Sequence, residues 1–168
     1  MRFSEPRLAL ADDPAAKLVD LFNHYVERDF ITKEYQEVVL ERGLRMLFNR
    51  TQLGKRFERG QVGDEGYHVT FPFVERCGER TVKAIKALNL AQDQPSKIRD
   101  HALVWRGRIE KLRSRHTLPD RVLFAVSAPE RRENLAEAFD EAIDDLRGSG
   151  ALVSPIRESE RILEFAAG

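Results

Sequence analysis

An amphipathic helix followed by a short apolar run is the feature that most constrains the fold of this chain. Residues 95–116 carry apolar side chains at spacings of three and four, which is the period of a helix with one buried face. These side chains are Ile98, Ala102, Trp105, Ile109 and Leu112. Residues 121–126 (RVLFAV) then form a nearly continuous apolar run, which is typical of a strand buried on both faces. Because residues 80–88 also have a strand pattern, we expect a parallel strand–helix–strand crossover.

A further strand signal precedes this crossover. Residues 67–74 alternate in polarity and are rich in aromatic and β-branched side chains. Pro72 favours an edge position or a bulge there, because proline cannot donate a hydrogen bond to a neighbouring strand. A turn at residues 75–78 leads into residues 80–88, so the two strands are expected to pair as an antiparallel hairpin. The hairpin and the parallel crossover together predict a mixed sheet.

The remaining segments complete an α/β (α+β) fold, a mixed sheet flanked by helices in the order ααββαβαβ. Residues 1–12 are interpreted as an N-terminal arm and residues 13–168 as a single α/β domain, which suits a chain of 168 residues. The glycine-rich stretch 49–66 is predicted to be a mobile loop. The other predicted elements are helices at 13–26, 32–48 and 129–147, and a strand at 151–156.

Composition excludes several classes of protein. Lys and Arg total 28 and Asp and Glu also total 28, so the chain is not a uniformly basic nucleic-acid coat, although a local basic patch is compatible with this balance. Cys77 is the single cysteine and has no intrachain partner, which favours a reducing compartment. No apolar run approaches the roughly 20 residues of a membrane span, and the N-terminus lacks a signal-peptide pattern. We therefore expect a cytoplasmic protein without a membrane partner.

The sequence contains no recognisable metal or nucleophile motif. Its four histidines share no short ligand spacing, and one cysteine cannot build a zinc site. His101 is assigned to packing, because it lies one helical turn before Trp105. We expect no cofactor on these grounds, and the residues alone leave the catalytic residues, if any, unknown.

Charge is distributed unevenly between two predicted helices. Residues 94–116 hold seven basic and two acidic side chains, whereas residues 130–147 hold seven acids and three arginines. Both can be solvated faces, with the acidic helix a neighbour of the basic helix across the sheet. Alternatively, the basic helix contacts nucleic-acid phosphates, and the basic stretch at 50–59 assists it. The candidate phosphate contacts are Arg106, Arg108, Lys111, Arg113 and Arg115 in the helix, with Arg56 and Arg59 in the loop.

The element order over roughly residues 33–156 resembles the restriction-endonuclease-like, PD-(D/E)XK superfamily. The similarity lies in a glutamate-bearing helix, then a hairpin, a helix, a strand and further α/β structure. This resemblance implies an aspartate on the first hairpin strand and an acid-x-lysine motif on the second, which together bind Mg²⁺ and position the attacking water. The general look of the chain is also similar to uncharacterised bacterial proteins linked to toxin–antitoxin or phage-defence neighbourhoods.

Two carboxylates implied by the resemblance are missing from the positions that match its motif. The lysine falls on Lys86, so the acid of acid-x-lysine falls on Ala84, and the aspartate position falls near Thr70. A shifted alignment recruits other residues: Asp64 or Glu65, Glu79, and Glu37 or Glu41 as carboxylates, with Lys83 or Lys86 as the lysine.

Three hypotheses of function follow. The first is a non-catalytic nuclease-like domain that binds nucleic acid through the basic helix at 94–116. The second is a Mg²⁺-dependent nuclease with a shifted active site, in which Asp64 and Glu79 hold the metal and Lys86 is the lysine. The third is a protein-interaction or dimerisation module, built on an exposed sheet edge or on the acidic helix.

Overall fold

The computed structural model describes residues 33–129 and 132–168, which form a five-stranded mixed sheet with helices on both faces. The elements in chain order are α1 (Lys33–Arg50), a short 3-10 helix (Leu53–Arg56), β1 (Glu58–Asp64), β2 (Tyr67–Cys77), β3 (Arg80–Asn89), α2 (Pro95–Ser114), β4 (Arg121–Ser127), α3 (Glu133–Gly148), β5 (Leu152–Pro155) and α4 (Ser159–Ala167). The predicted arm at 1–12 and the predicted helix at 13–26 lie outside the described residues.

The strands lie in the sheet in the order in which they occur along the chain. β1, β2 and β3 pair antiparallel through two hairpins, and β3, β4 and β5 pair parallel. The predicted hairpin and the predicted parallel crossover through α2 are therefore confirmed, as is the α/β class with a mixed sheet. None of the described helices combines the length and apolarity needed to cross a membrane.

The stretch 49–66 is not the mobile loop that its glycines suggested. It contains the 3-10 helix and β1, and β1 is an edge strand whose only buried side chain is Val62. Such a strand has little polarity pattern of its own, because its structure comes from pairing with β2. Gly63 shows how closely β1 approaches β2. Its φ of 134° suits glycine, and a Cβ there would collide with the Tyr67 carbonyl oxygen of β2.

The hydrophobic core is divided by the sheet into two parts. On one face, α2 and α3 cover the sheet, and Trp105 packs edge-on against Phe71 and Phe124 with ring centroids 5.6 Å apart in both pairs. All five apolar positions predicted for α2 are buried. On the other face, α1 and α4 bury Phe48 and Ile162 against the sheet. Burial of each such large side chain stabilises the fold by about 1.5–3 kcal/mol.

The basic helix α2 and the acidic helix α3 pack side by side. Both contribute side chains to the same core cluster, on the same face of the sheet. They are neighbours, as expected, but through direct contact on one face rather than across the sheet. This arrangement brings their opposite charges within reach of each other.

The structure differs from the predicted elements at two further points. The described part of α3 begins at Glu133, although the sequence places a start signal at Pro129-Glu130. A C-terminal helix, α4, occupies residues to which the sequence assigned no structure. From α1 onward, the described order is therefore αβββαβαβα, with one strand and one helix more than the predicted pattern.

Candidate functional site

A buried ion cluster surrounds Lys86 at the carboxyl-terminal half of β3. The Lys86 ammonium lies 2.9 Å from the Glu37 carboxylate and 2.6 Å from the Glu41 carboxylate, both on α1. Its side chain is only 10% exposed. We refer to Glu37, Glu41, Lys86 and His101 as the Lys86 cluster.

Pro72 explains why two helix carboxylates reach a strand lysine. Pairing between β2 and β3 extends no further than Phe73 opposite Ile85, and continuation would place Pro72 opposite Lys86. Proline has no N–H to donate, so the ladder ends there. The Pro72 carbonyl oxygen instead accepts a hydrogen bond from Arg45 of α1 at 3.2 Å. The pairing of β1 with β2 is also irregular next to this residue, which confirms the bulge predicted from Pro72.

His101 connects the Lys86 cluster to α2. Its Nε2 lies 3.1 Å from Glu37, and its Nδ1 lies 3.2 Å from the carbonyl oxygen of Asn89, the last residue of β3. The Asn89 side-chain oxygen in turn accepts a hydrogen bond of 2.8 Å from Ser127 at the end of β4. Polar contacts therefore join α1, β3, α2 and β4 at the carboxyl ends of β3 and β4, which is the edge where α/β sheets often bind ligands.

The pKa of the Glu37 carboxyl is strongly lowered by its neighbours in this cluster. Burial by itself raises the pKa of the Glu37 carboxyl, but the hydrogen bond from His101 and the charge and hydrogen bond of Lys86 outweigh it. The net effect lowers the pKa from 4.5 to about 2. Glu37 is thus a carboxylate at every pH at which the protein would ordinarily function.

Asp64 and Glu79, the two metal ligands proposed for a shifted nuclease site, lie elsewhere. Asp64 accepts hydrogen bonds from the backbone N–H groups of Gly66 and Tyr67 and pairs at 2.8 Å with Arg115, the C-cap residue that follows α2. The guanidinium of Arg115 is the main cause of the lowered pKa of Asp64. Glu79 is exposed in the turn between β2 and β3, on the rim of an open polar groove of about 490 Å³. Neither side chain joins the Lys86 cluster.

The positions that match the superfamily motif carry no carboxylate in the structure either. Ala84 is buried against α2 and α3, and Thr70 is exposed in the β1–β2 hairpin opposite Gln61. Glu65, the other acid considered near the first strand, lies exposed in the β1–β2 turn. Within residues 33–129 and 132–168, no three His, Cys, Asp or Glu side chains are grouped closely enough to hold a metal ion.

Lys83, the other candidate lysine, belongs to a separate ion network. Its ammonium lies 3.1 Å from Glu75 of β2 and donates to the Ala166 carbonyl oxygen of α4 at 3.3 Å. Arg56 pairs with the same Glu75 at 2.7 Å and donates to the Ala167 carbonyl oxygen at 3.0 Å. The network fastens α4 to the sheet, so both lysine candidates have structural partners.

Most basic side chains of α2 are engaged within the molecule. Arg106 pairs with Glu110 at 2.8 Å and with Asp145 of α3 at 2.7 Å, and Arg99 pairs with Glu141 of α3. Arg113 donates to the Ser149 carbonyl oxygen, and Arg115 pairs with Asp64. Arg108 stacks on the Trp105 ring, with its guanidinium 4.6 Å from the ring centroid. Among the proposed contacts in α2, Lys111 is exposed and has no ion pair among the described residues.

Sequence reasoning found part of the Lys86 cluster and missed the rest. The sequence offers Glu37, Glu41 and Lys86 as alternative site residues, and the structure brings these three together. His101 was assigned to packing, and although it is buried it also bonds Glu37. The helical spacing of Glu37 and Glu41 was the available signal, since residues four apart share one face of a helix.

The comparisons with known proteins give no relative for this chain. It matches no protein-family model, no curated protein and no solved structure.

Proposed function

We propose that this chain is a non-catalytic domain of the restriction-endonuclease-like kind that binds nucleic acid. The order of a glutamate-bearing helix, antiparallel strands, a helix and a parallel strand, from α1 to β4, supports the assignment. Fold alone does not determine activity, so the rest of the proposal depends on the site.

The environment of Lys86 is the observation that carries the non-catalytic part. In the superfamily that the chain resembles, this lysine stabilises negative charge that develops during cleavage, and two strand carboxylates hold the metal. Here the matching strand positions carry Ala84 and Thr70, and the Lys86 ammonium is instead bound by two carboxylates of α1. We therefore assign the cluster a structural role, in which it holds α1 against β3.

Exposed basic side chains support the binding part of the proposal. The net charge of the chain is zero, but α3 alone carries six acids, and basic side chains remain exposed elsewhere on the domain. Binding to phosphates through such side chains releases counterions and requires no metal.

Incubation of the full chain with labelled DNA and RNA tests both parts together. Fluorescence anisotropy at low salt, with and without Mg²⁺, measures binding, and a denaturing gel of the same samples measures cleavage. We expect binding of at least one of the two nucleic acids, with the substrate intact in both conditions. No binding of either would contradict the proposal and favour a protein partner or a homodimer.

The Mg²⁺-dependent nuclease is the second candidate, favoured by the position of the Lys86 cluster near the carboxyl ends of β3 and β4, the edge where α/β sheets often bind ligands. In this version the site consists of Glu37, Glu41 and Lys86, rather than Asp64 and Glu79. Metal-dependent cleavage that is lost in Glu41→Gln and Lys86→Met, but kept in Glu79→Ala, would establish it. Cleavage lost in Glu79→Ala would instead support the site first proposed from the sequence.

A further inference from the structure

We infer that the phosphate-binding face is formed by the C-terminal half of α1, the 3-10 helix and the start of β1, rather than by α2. We call it the α1–β1 basic surface, and it consists of Arg42, Arg50, Lys55 and Arg59. The inference rests on the proposed function, because it names the face through which that binding occurs.

The first argument is the local charge. Residues 42–59 contain six basic side chains and one acid, Glu58. This excess of positive charge equals that of the stretch 94–116, in a segment of fewer residues. Two of the six, Arg45 and Arg56, are used inside the fold, which leaves the four residues of the surface.

Arg45 brings the parts of this surface together. Its guanidinium donates to the Phe57 carbonyl oxygen at 2.7 Å and to the Gly54 carbonyl oxygen at 3.4 Å. It also lies 4.5 Å from the centroid of the Phe73 ring. Arg45 therefore fixes the 3-10 helix and the entry to β1 against α1.

Close packing at Gly54 has the same effect. A Cβ on Gly54 would collide with the side-chain oxygen of Asn49, near the end of α1. The chain thus turns back directly onto α1 after Arg50. Lys55 is consequently carried next to the end of the helix that bears Arg42 and Arg50.

The cations of this surface are accessible. Arg42, Arg50 and Lys55 are exposed and form no ion pair with the described residues. Arg59 is 70% exposed, and its nearest carboxylate, Glu41, is 3.9 Å away, while Lys86 is 2.6 Å from the same Glu41. Arg59 therefore remains available and lies at the edge of the Lys86 cluster.

The α2 face is less suited to phosphates because α3 lies beside it. Arg99 and Arg106 are bound by α3 carboxylates, Glu141 and Asp145. A phosphate approaching α2 would have to compete with these carboxylates and would meet the remaining acids of α3. Two acids lie at the α1–β1 basic surface: Glu58, whose nearest cation is Arg76 at 3.9 Å, and Glu41, which is bound by Lys86 at 2.6 Å.

The positive charge of this surface is complementary to the phosphate backbone of a nucleic-acid duplex. Proteins that hold single strands commonly stack bases on exposed aromatic rings. Among the large apolar side chains that are exposed in the described residues, Tyr35 is the one aromatic. Contacts made by Arg and Lys to phosphates carry no sequence information, so we expect binding that depends on salt but little on sequence.

Two matched triple variants of the full chain test this inference. Arg42→Ala/Lys55→Ala/Arg59→Ala removes three positive charges from the α1–β1 basic surface, and Arg106→Ala/Arg108→Ala/Lys111→Ala removes three from α2. The probe is a short fluorescent DNA duplex, titrated over a salt series, and circular dichroism checks that both variants are folded. We expect the first variant to bind at least about tenfold more weakly and its slope of log K against log salt to be shallower by roughly three. The α2 variant should stay within about threefold of the unmodified chain.

The result also separates the proposed binding function from the assignment of the binding face. If the unmodified chain binds and the α2 variant suffers the larger loss, the binding function survives and the α1–β1 assignment is wrong. Equal losses of affinity in both variants would likewise overturn the assignment, because they would indicate that binding depends on the positive charge of the whole domain rather than on one face. If the unmodified chain binds RNA but not the DNA duplex, the binding function survives and this inference is wrong. Absence of binding to either nucleic acid would remove the function and this inference together.

Discussion

At the scale of single residues, His116 has a backbone conformation that favours glycine. His116 lies two residues after the end of α2 and has a φ of 57°, in the left-handed region. The backbone N–H groups of His116 and Thr117 donate to the Arg113 and Leu112 carbonyl oxygens, each at 3.0 Å, which is the hydrogen-bond pattern of a helix C-cap. Glycine adopts this conformation without steric cost, whereas other residues are strained in it by about 1–2 kcal/mol.

We predict that His116→Gly increases the free energy of unfolding by about 1 kcal/mol. Gly78 offers the reverse control, because its φ is 62° and a Cβ there would meet no atom within 4 Å. Gly78→Ala should therefore decrease the free energy of unfolding by a similar amount, through backbone strain alone. Urea denaturation of the two variants measures both effects. A destabilised His116→Gly would show that the imidazole has a stabilising role that outweighs the strain.

At the scale of elements, the Lys86 cluster links α1 to the sheet and makes that link sensitive to acid. The pKa of Glu37 is about 2 in the folded chain, against 4.5 as its ordinary value, because His101 and Lys86 outweigh the effect of burial. A carboxyl whose pKa is depressed by folding contributes its stabilisation above its unfolded pKa. That stabilisation is lost as the pH falls from about 4.5 toward 2.

Glu37→Gln is predicted to reduce stability by up to about 3 kcal/mol at neutral pH, and by less as the pH falls through this window. Unfolding by urea at a series of pH values between neutrality and about pH 3 gives the comparison. Glu79→Gln serves as the control, since Glu79 is exposed in a turn, and it should leave the pH dependence unchanged. A constant difference between Glu37→Gln and the unmodified chain at every pH would show that the Glu37 carboxylate does not contribute through its charge.

The elements also show which parts of the fold were predictable from the sequence. The period of α2 and the apolar run of β4 are local signals, and both elements were found with nearly correct ends. β1 was missed because it buries only Val62 and is formed by pairing with β2, a contact between separate segments that no single window reveals. α4 is short, and its burial of Ile162 and Phe165 depends on the sheet beneath it.

The same distinction applies to the candidate site. Glu37 and Glu41 were recognisable as a pair on one helix face, but their contact with Lys86 spans more than forty residues. It depends on the interruption of strand pairing at Pro72. The pairing of Arg106 with Asp145 depends on α2 and α3 lying on the same face of the sheet. A count of charges along α2 could not show that its arginines were already bound.

At the scale of the whole molecule, charge is separated although the total is zero. α2 and α3 neutralise each other in part, and the excess positive charge of residues 42–59 lies on a different part of the domain. A protein with this distribution can bind a polyanion through one face while its overall charge gives no sign of it. The proposed function depends on this separation.

The salt dependence of DNA binding by the unmodified chain, measured with and without Mg²⁺, tests this account most directly. Four exposed cations in contact with phosphates predict a slope of log K against log salt of roughly −3 to −4. Binding without Mg²⁺ should be at least as strong as binding with it, and the DNA should stay intact. No binding at low salt, or binding and cleavage that both require Mg²⁺, would contradict the account.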